Sequence, residues 1–245
     1  MKRLNQIMVL LAVMICSPSW ADSMAKTATL ESGEKFTIFE NGPTKSDKGI
    51  LLVHDWFGVS PFYLEAAERL AKNGYRVIAV DLYEGLSATT HTNAWKLMQA
   101  LDANLAAAKI DLALAELQEP NRRIAIMGFS MGSVHAFQAA LRNDVIKATV
   151  IWYGDTVKDS AALKDLNGPV LAVFGSKDGA AADEAAAFSK AADAAGKLGE
   201  TWVYPGAHHA FAQPLFNEGS TYDPVATAAA WKLTENFLAR QIDSY

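Results

Sequence analysis

A serine flanked by glycines is the residue in this chain best suited to nucleophilic chemistry. Ser130 is the centre of the segment 128–132 (GFSMG), which follows the apolar run 124–127 and precedes a helical pattern. A serine on a sharp strand-to-helix turn has strained backbone geometry, and the residues two positions away must lack a bulky Cβ. The turn would expose the hydroxyl at a helix N-terminus, which favours a developing negative charge. An ordinary N-cap serine in a glycine-rich turn is the alternative.

A serine hydroxyl is too weakly acidic to attack unaided, so it needs an imidazole within hydrogen-bond reach. His208 and His209 follow the last predicted strand in the segment 201–211 (TWVYPGAHHAF), and one of them is expected to be the base. His54 ends an earlier predicted strand, where we expect a structural hydrogen bond. His135 is expected to pack within the helix after Ser130, and His91 lies in a polar loop without an evident partner.

The imidazole in turn needs a carboxylate that orients it. Asp178 follows the predicted strand 169–174, and Asp155 follows the predicted strand 148–153. Asp178 gives the chain order serine, acid, histidine that is typical of α/β-hydrolases, so it is favoured and Asp155 is the alternative. A purely structural role for Asp178 would be an Asx turn before Gly179.

Stabilising an oxyanion requires two N–H groups near the serine. The amide of Met131, the residue after Ser130, is expected to supply one of them. The second is expected from the loop after the predicted strand 49–53, where Trp56 is the best candidate. Core packing is the favoured role for the neighbouring Phe57.

Strands and helices alternate along the chain in a way that would bring these residues together. Strands are predicted at 35–40, 49–53, 75–82, 124–127, 148–153, 169–174 and 201–204, after a flexible lead-in at 22–34. Helices are predicted at 61–72, 93–118, 131–142, 160–166, 183–197 and 224–241. This alternation predicts an α/β-hydrolase fold, with a mostly parallel, doubly wound sheet and helices on both faces. Reactive groups gather at the carboxyl ends of such strands.

The first 21 residues are typical of a secretory signal peptide. Lys2 and Arg3 precede the apolar run 7–15, and the segment 19–21 (SWA) suits cleavage. The apolar run is too short to span a bilayer, so a retained anchor is the less favoured alternative. We therefore expect residues 22–245 to form one secreted or periplasmic domain. The hydrophobic core must stabilise this domain without disulfides, because the single cysteine, Cys16, lies in the signal peptide.

The composition is that of a globular protein, with 51% hydrophobic and 20% charged residues. The formal net charge is −5 and would become −7 after loss of Lys2 and Arg3. Such an acidic domain suits neither nucleic acid nor, after signal cleavage, a membrane surface, so the expected partner is a small molecule. No metal-ligand set or phosphate loop is visible, so neither a metal nor a cofactor is expected. The sequence makes no prediction of oligomeric state.

Five segments together resemble the dienelactone hydrolase family of α/β-hydrolases, and the resemblance covers about residues 49–241. They are VHDWFGVS at 53–60, GYRVIAVDLYEG at 74–85, IAIMGFSMGSVHAF at 124–137, FGSKD at 174–178 and YPGAHHAF at 204–211. The family ending Tyr-x-x-Ala-x-His-x-Phe implies that His209 is the catalytic histidine, with His208 as its neighbour. The resemblance implies an ester or lactone as the substrate.

The chain departs from the family at its nucleophile, which is typically a cysteine and here is Ser130. In the cysteine enzymes a glutamate interacts with the resting thiol, and Asp55 stands at that position, either to tune Ser130 or to hold the loop. Gly85 and Gln213 occupy the positions of two arginines that hold the substrate carboxylate in dienelactone hydrolases proper. Tyr83 is retained and is expected to line the pocket.

The sequence therefore predicts an exported serine hydrolase that cleaves a carboxylic ester or lactone through an acyl-enzyme, with a neutral ester favoured. A non-catalytic exported binding protein on the same fold, and a thioesterase or peptidase, are the alternatives. The predicted catalytic residues are Ser130, His209 and Asp178, the oxyanion amides are those of Met131 and Trp56, and the pocket residues are Asp55, Tyr83 and His208.

Overall fold

A computed structural model describes residues 24–214 and 220–243, and the predicted signal peptide lies outside them. Eight strands form one sheet in the order β1-β2-β4-β3-β5-β6-β7-β8. The strands are β1 (Met24–Thr29), β2 (Lys35–Asn41), β3 (Lys48–Val53), β4 (Arg76–Val80), β5 (Arg123–Phe129), β6 (Ile146–Trp152), β7 (Val170–Gly175) and β8 (Gly199–Tyr204). The helices are α1 (Pro61–Lys72), α2 (His91–Ala100), α3 (Ala103–Leu117), α4 (Met131–Arg142), α5 (Ala181–Ala195) and α6 (Pro224–Ile242), with a 3₁₀ helix at Ala162–Asp165.

Strands β3 to β8 run parallel, and β1 and β2 add an antiparallel edge next to β4. Strand β3 lies between β4 and β5, so the connection after β4 crosses over β3 to reach the other side. In open α/β sheets the ligand site lies at the carboxyl ends of the strands beside such a reversal of order. The predicted α/β-hydrolase fold is confirmed, and its switch point is between β3 and β5.

The central strands β3 to β7 are mainly apolar because both faces of the sheet are covered there. In β3, Leu51 and Val53 pack into a cluster with apolar residues of α3, α4 and α5. Leu52, which points the opposite way, packs with residues of α1 and α6. Since alternate side chains of a strand meet different helices, no position can be polar without a buried partner.

Two predictions of secondary structure are wrong. The lead-in at 22–34 contains β1, whose pairing with β2 supplies its hydrogen bonds; its sequence shows no apolar pattern because only Ala28 is buried. The helix predicted over 93–118 is two helices, because Leu101 is extended and Asp102 begins a new helix as its N-cap. Smaller differences are the shorter β4 and the 3₁₀ helix within 160–166.

The Asp102 cap predicts a measurable loss of stability when it is removed. Asp102 Oδ1 accepts hydrogen bonds from the N–H groups of Asn104 and Leu105, at 2.8 and 2.9 Å. Asp102→Ala should therefore lower the free energy of unfolding by about 1 kcal/mol in chemical denaturation. Asp193→Ala, on an exposed position of α5, should change it by less than about 0.5 kcal/mol. Equal losses in the two variants would contradict the capping role.

Candidate active site

Ser130 lies between β5 and α4 with strained backbone angles, φ 51° and ψ −118°. A positive φ in a residue other than glycine costs on the order of 1–3 kcal/mol, so surrounding contacts must hold it. The N–H of Ser130 donates to the carbonyl oxygen of Trp152, at 2.9 Å, and the carbonyl of Ser130 accepts from the N–H of Ser133, also at 2.9 Å. The serine is thereby fixed at the start of α4.

The two glycines around Ser130 are required by close backbone contacts. A Cβ at Gly128 would clash with the backbone of Gly132. A Cβ at Gly132 would clash with the carbonyl oxygens of Val53 and His54 at the end of β3. The first turn of α4 can therefore lie against β3 only because position 132 has no side chain, as the sequence predicts.

Ser130, His209 and Asp178 form one hydrogen-bonded chain across three parts of the fold. Ser130 Oγ is 3.0 Å from His209 Nε2, and His209 Nδ1 is 2.7 Å from Asp178 Oδ2. His209 belongs to the histidine loop (residues 204–213) and Asp178 to the acid loop (residues 175–179). A proton on Nδ1 donates to the carboxylate, so Nε2 is the unprotonated nitrogen that can accept the serine proton.

Backbone and side-chain hydrogen bonds join the acid loop to the histidine loop. The N–H of Lys177 donates to the carbonyl oxygen of Ala207, at 2.8 Å. The N–H of Gly206 donates to Ser176 Oγ, at 2.8 Å. A Cβ at Gly175 would approach the carbonyl of Ala207 too closely. The two loops are thus in close contact, which sets the distance between the carboxylate and the imidazole.

The alternative residues, Asp155 for the carboxylate and His208 for the histidine, are placed differently from Asp178 and His209. Asp155 is exposed on the wall of the cavity above Ser130, whereas Asp178 holds the hydrogen bond to His209. His208 is exposed and does not line that cavity. The structure therefore brings together the three residues that the sequence favoured.

A cavity of about 590 Å³ opens above Ser130, a size suited to a small organic molecule. Its carboxylates are those of Asp155, Asp178 and Glu184, and among the described residues its lining includes neither lysine nor arginine. The apolar part of the wall is formed by Trp56, Met98, Met131, Val134 and Phe174. Trp56 and Met131, the predicted oxyanion residues, thus border the same space as Ser130.

Two residues predicted for the pocket lie behind its lining. Asp55 is 2% exposed, and its carboxylate accepts hydrogen bonds from the N–H of Phe57 and from Gln213, both at 2.9 Å. Tyr83 is also buried, and its hydroxyl donates to Met131 Sδ, at 3.3 Å. Tyr83 thus contacts Met131, which lines the cavity, and Asp55 directly precedes Trp56, which also lines it.

Burial raises the pKa of Asp55 to about 6. The hydrogen bonds from Phe57, Tyr63 and Gln213 act in the opposite direction, because they stabilise the carboxylate. The pKa of about 6 means that Asp55 changes its charge at a higher pH than an ordinary aspartate.

The other histidines have structural surroundings. His54 is buried, and its Nε2 accepts a hydrogen bond from the N–H of Leu82, at 3.1 Å, as expected from the sequence. Burial lowers the pKa of His54 to about 4, so it is uncharged at neutral pH. His135 lines the cavity, and burial together with Arg142 lowers its pKa. His91 has ring contacts with Trp56, at 5.6 Å between centroids.

The sequence analysis did not identify Tyr153 as part of the site. Tyr153 follows β6 with a φ of 42°, and its ring centroid is 5.6 Å from that of His209. The position of Tyr153 at the end of the predicted strand 148–153 was the feature of the sequence that could have indicated a place in the site. Met98 and Val134 also line the cavity, but they lie on helices where nothing in the sequence separates them from other apolar residues.

Residues 24–214 and 220–243 contain no cluster of three or more His, Cys, Asp or Glu side chains that could hold a metal ion. Over the same residues, no helix combines the length and apolarity needed to cross a membrane.

The parallel sheet and the strained turn at Ser130 define a hydrolase of the α/β-hydrolase fold. Residues 36–242 match the model of the Dienelactone hydrolase family, and the chain belongs to this family.

Relatives and solved structures agree with this assignment. A protein of Methylorubrum extorquens described as a "Putative carboxymethylenebutenolidase" is 33% identical over 70% of this chain and 65% of its own length. A Salmonella typhimurium protein with the same description is 29% identical over 89% of this chain and 90% of its own. The crystal structure of a dienelactone hydrolase homologue from Klebsiella pneumoniae is 26% identical, has a TM-score of 0.75, and covers 89% of this chain and 98% of its own.

Proposed function

We propose that the protein is a serine hydrolase that cleaves a neutral carboxylic ester or lactone through an acyl-enzyme. The observation that carries this proposal is the contact of 3.0 Å between Ser130 Oγ and His209 Nε2, with Asp178 bonded to the other ring nitrogen. The relatives described as carboxymethylenebutenolidases support hydrolysis of a lactone or ester, whereas the carboxylate in the name of their substrate is a feature from which the proposal departs.

In the first step, Ser130 Oγ attacks the carbonyl carbon while His209 Nε2 takes its proton. Asp178 keeps the proton on Nδ1 and stabilises the imidazolium that forms, because its carboxylate accepts the Nδ1–H bond. The carbonyl oxygen becomes an oxyanion. His209 then gives the proton to the leaving alcohol as the ester bond breaks.

The oxyanion is held by the amides of Met131 and Trp56. Met131 begins α4, so its N–H is one of the groups that have no partner within the helix and lies at the positive end of the dipole. Trp56 borders the same cavity. In the second half of the reaction, His209 takes a proton from water as the water oxygen attacks the acyl carbon on Ser130. The bond between the acyl carbon and Ser130 Oγ then breaks, His209 returns the proton to Oγ, and the acid leaves.

The charge of the cavity favours a neutral substrate. Three carboxylates border it, of which Glu184 is ion-paired with Lys158 and Asp178 is bonded to His209, and among the described residues neither lysine nor arginine lines it. Gln213, which stands where the family has an arginine, donates to Asp55 behind the cavity wall. An acidic lactone would therefore meet repulsion instead of an ion pair, whereas the apolar wall suits an uncharged acyl or alkyl group.

A fluorophosphonate probe tests the proposal directly. We expect an adduct on Ser130 and turnover of p-nitrophenyl esters, and both should disappear in Ser130→Ala. Folded wild-type protein that neither labels nor hydrolyses the esters would favour a binding protein. Faster turnover of a matched thioester or peptide than of the ester would contradict the proposed substrate class.

Paired variants test the roles of the histidine and the acid. His209→Ala should lower kcat/KM for ester hydrolysis by about 10³-fold or more, because it removes the base, and His208→Ala by no more than a few-fold. Asp178→Asn should likewise lower kcat/KM far more than Asp155→Asn, since the Asp178 carboxylate is hydrogen-bonded to His209. Equal losses within either pair, or the reverse order, would overturn the assignment.

Substrate charge can be tested with p-nitrophenyl butyrate and p-nitrophenyl hemisuccinate, which differ mainly in a terminal carboxylate. We expect kcat/KM for the hemisuccinate to be lower by about tenfold at low salt, with a smaller difference at high salt because charges are screened. Asp155→Asn, at the cavity wall, should reduce the difference, and Asp144→Asn, which is exposed at the opposite end of the sheet, should leave it unchanged. A preference for the hemisuccinate would contradict the proposal.

A further inference from the structure

Three buried polar side chains connect the strand end next to Trp56 with the histidine loop. Gln213 Nε2 is 2.9 Å from Asp55 Oδ2 and 3.0 Å from Tyr63 Oη. The Tyr63 hydroxyl also accepts a hydrogen bond from the N–H of Asp55, at 2.9 Å. Asp55 precedes Trp56 directly, and Gln213 is four residues after His209. These contacts therefore link the two segments that contain the second oxyanion amide and the base.

On one side, the carboxylate of Asp55 shapes the oxyanion loop (residues 55–58). Asp55 Oδ1 accepts from the N–H of Phe57, at 2.9 Å, and the Asp55 carbonyl accepts from the N–H of Gly58, at 3.2 Å. Trp56 lies inside this turn. The direction of its amide is consequently set by hydrogen bonds that begin at Asp55.

On the other side, Gln213 is attached to the turn after His209. Its N–H donates to the carbonyl oxygen of Ala210, at 2.9 Å. Ala210 directly follows His209, is buried, and has a φ of 54°. The side chain of Gln213 therefore ties this strained turn to Asp55.

We propose that Asp55 and Gln213 form a buried clamp that holds the oxyanion loop in register with the histidine loop, and that the clamp is complete only while Asp55 is ionised. The inference rests on the proposed function, because it makes both side chains positioning residues for that reaction. It differs from a role for Asp55 on the nucleophile, since the contacts of its carboxylate with Phe57 and Gln213 lead to the two loops.

Ionisation matters because both oxygens of the carboxylate face N–H donors. A carboxylate only accepts hydrogen bonds, so it can bind Phe57 and Gln213 at once. A protonated carboxyl group carries a hydrogen on one oxygen, and that hydrogen would meet one of the two donors. One hydrogen bond would be lost, and the remaining one would no longer be strengthened by charge.

The surroundings place this change near neutral pH. Burial raises the pKa of Asp55 to about 6, while Tyr63, Gln213 and the charge of His209 act against that rise. Burial raises the pKa values of Tyr63, Tyr83 and Tyr153, which lie near the charge of Asp55. Burial lowers the pKa of His54 to about 4, so all four groups stay uncharged between pH 5 and 8. The titratable groups around Asp55 are Tyr63 on α1, Tyr83 after β4, Tyr153 after β6, His209 on the histidine loop and the adjacent His54.

The pH profile of kcat/KM for an uncharged p-nitrophenyl ester tests the clamp. In wild type both His209 and Asp55 must be unprotonated, so the acid limb of log kcat/KM should approach a slope of about two. The acid limb of Asp55→Asn should have a slope of about one. At neutral pH the activity lost in this variant should appear as a lower kcat more than as a higher KM, because the oxyanion forms only after the substrate has bound. Identical acid limbs in the two proteins would overturn the proposal.

Gln213→Glu provides a second variant of nearly the same shape. A carboxylate beside Asp55 should raise the pKa of Asp55 further and move the acid limb upward by about one pH unit or more. Gln118→Glu, which adds the same charge at an exposed position after α3, should leave the profile unchanged. An unshifted acid limb in Gln213→Glu would also overturn the clamp.

Thermal unfolding tests the titration of Asp55 without any turnover. The pKa of Asp55 is about 6 in the folded protein against 3.8 for an ordinary aspartate, so the folded state binds the proton more tightly. Its contribution to stability therefore falls as the pH rises from about 4 to about 6, and remains unfavourable above that. The melting temperature of Asp55→Asn relative to wild type should rise by several degrees over this interval, and a constant difference would contradict the inference. Absence of ester hydrolysis in wild type would instead reject the proposed function.

Discussion

The contact of Gly132 with the carbonyl oxygens of Val53 and His54 is the constraint on which the site depends. It brings the first turn of α4 against the end of β3, so that the residues after β3 and β5 share one space. Ser130 and Met131 come from one of these strand ends and Trp56 from the other. A side chain at position 132 would separate them, and the cavity above Ser130 would lose one wall.

The stability of the packed sheet offsets the free-energy cost of the strained backbone at the site. Three of the non-glycine residues with positive φ in the described chain, Ser130, Tyr153 and Ala210, belong to the site: Ser130 and Tyr153 directly follow strands, and Ala210 lies in the histidine loop. Each such residue costs on the order of 1–3 kcal/mol, and the buried charge of Asp55 adds to that cost. The apolar faces of the sheet, with helices on both sides, supply the stability that makes this strain tolerable. Strain concentrated in this way keeps the reactive groups in one arrangement.

Much of the fold and the centre of the site could be predicted because both depend on local patterns. Buried strands are apolar runs, and Ser130 and Asp178 each follow one of them, whereas His209 follows the partly exposed β8. The edge strand β1 could not be predicted because it is mostly exposed and forms only through pairing with β2. The contact of Asp55 with Gln213 joins residues 158 positions apart, and a glutamine in a loop gives no sign of its partner. Residues 1–23, 215–219 and 244–245 lie outside the described structure.

A hydroxyl at position 130 also determines how the site responds to oxidants. A cysteine there would present a thiolate that peroxides oxidise and alkylating reagents modify, whereas a serine is inert to both. Among the described residues, the sulfur atoms bordering the cavity are the thioethers of Met98 and Met131. Their conversion to sulfoxides would make an apolar wall polar while the hydrogen bonds of His209 stayed intact. Oxidative damage would thus alter which molecules the cavity accepts rather than the chemistry it can perform.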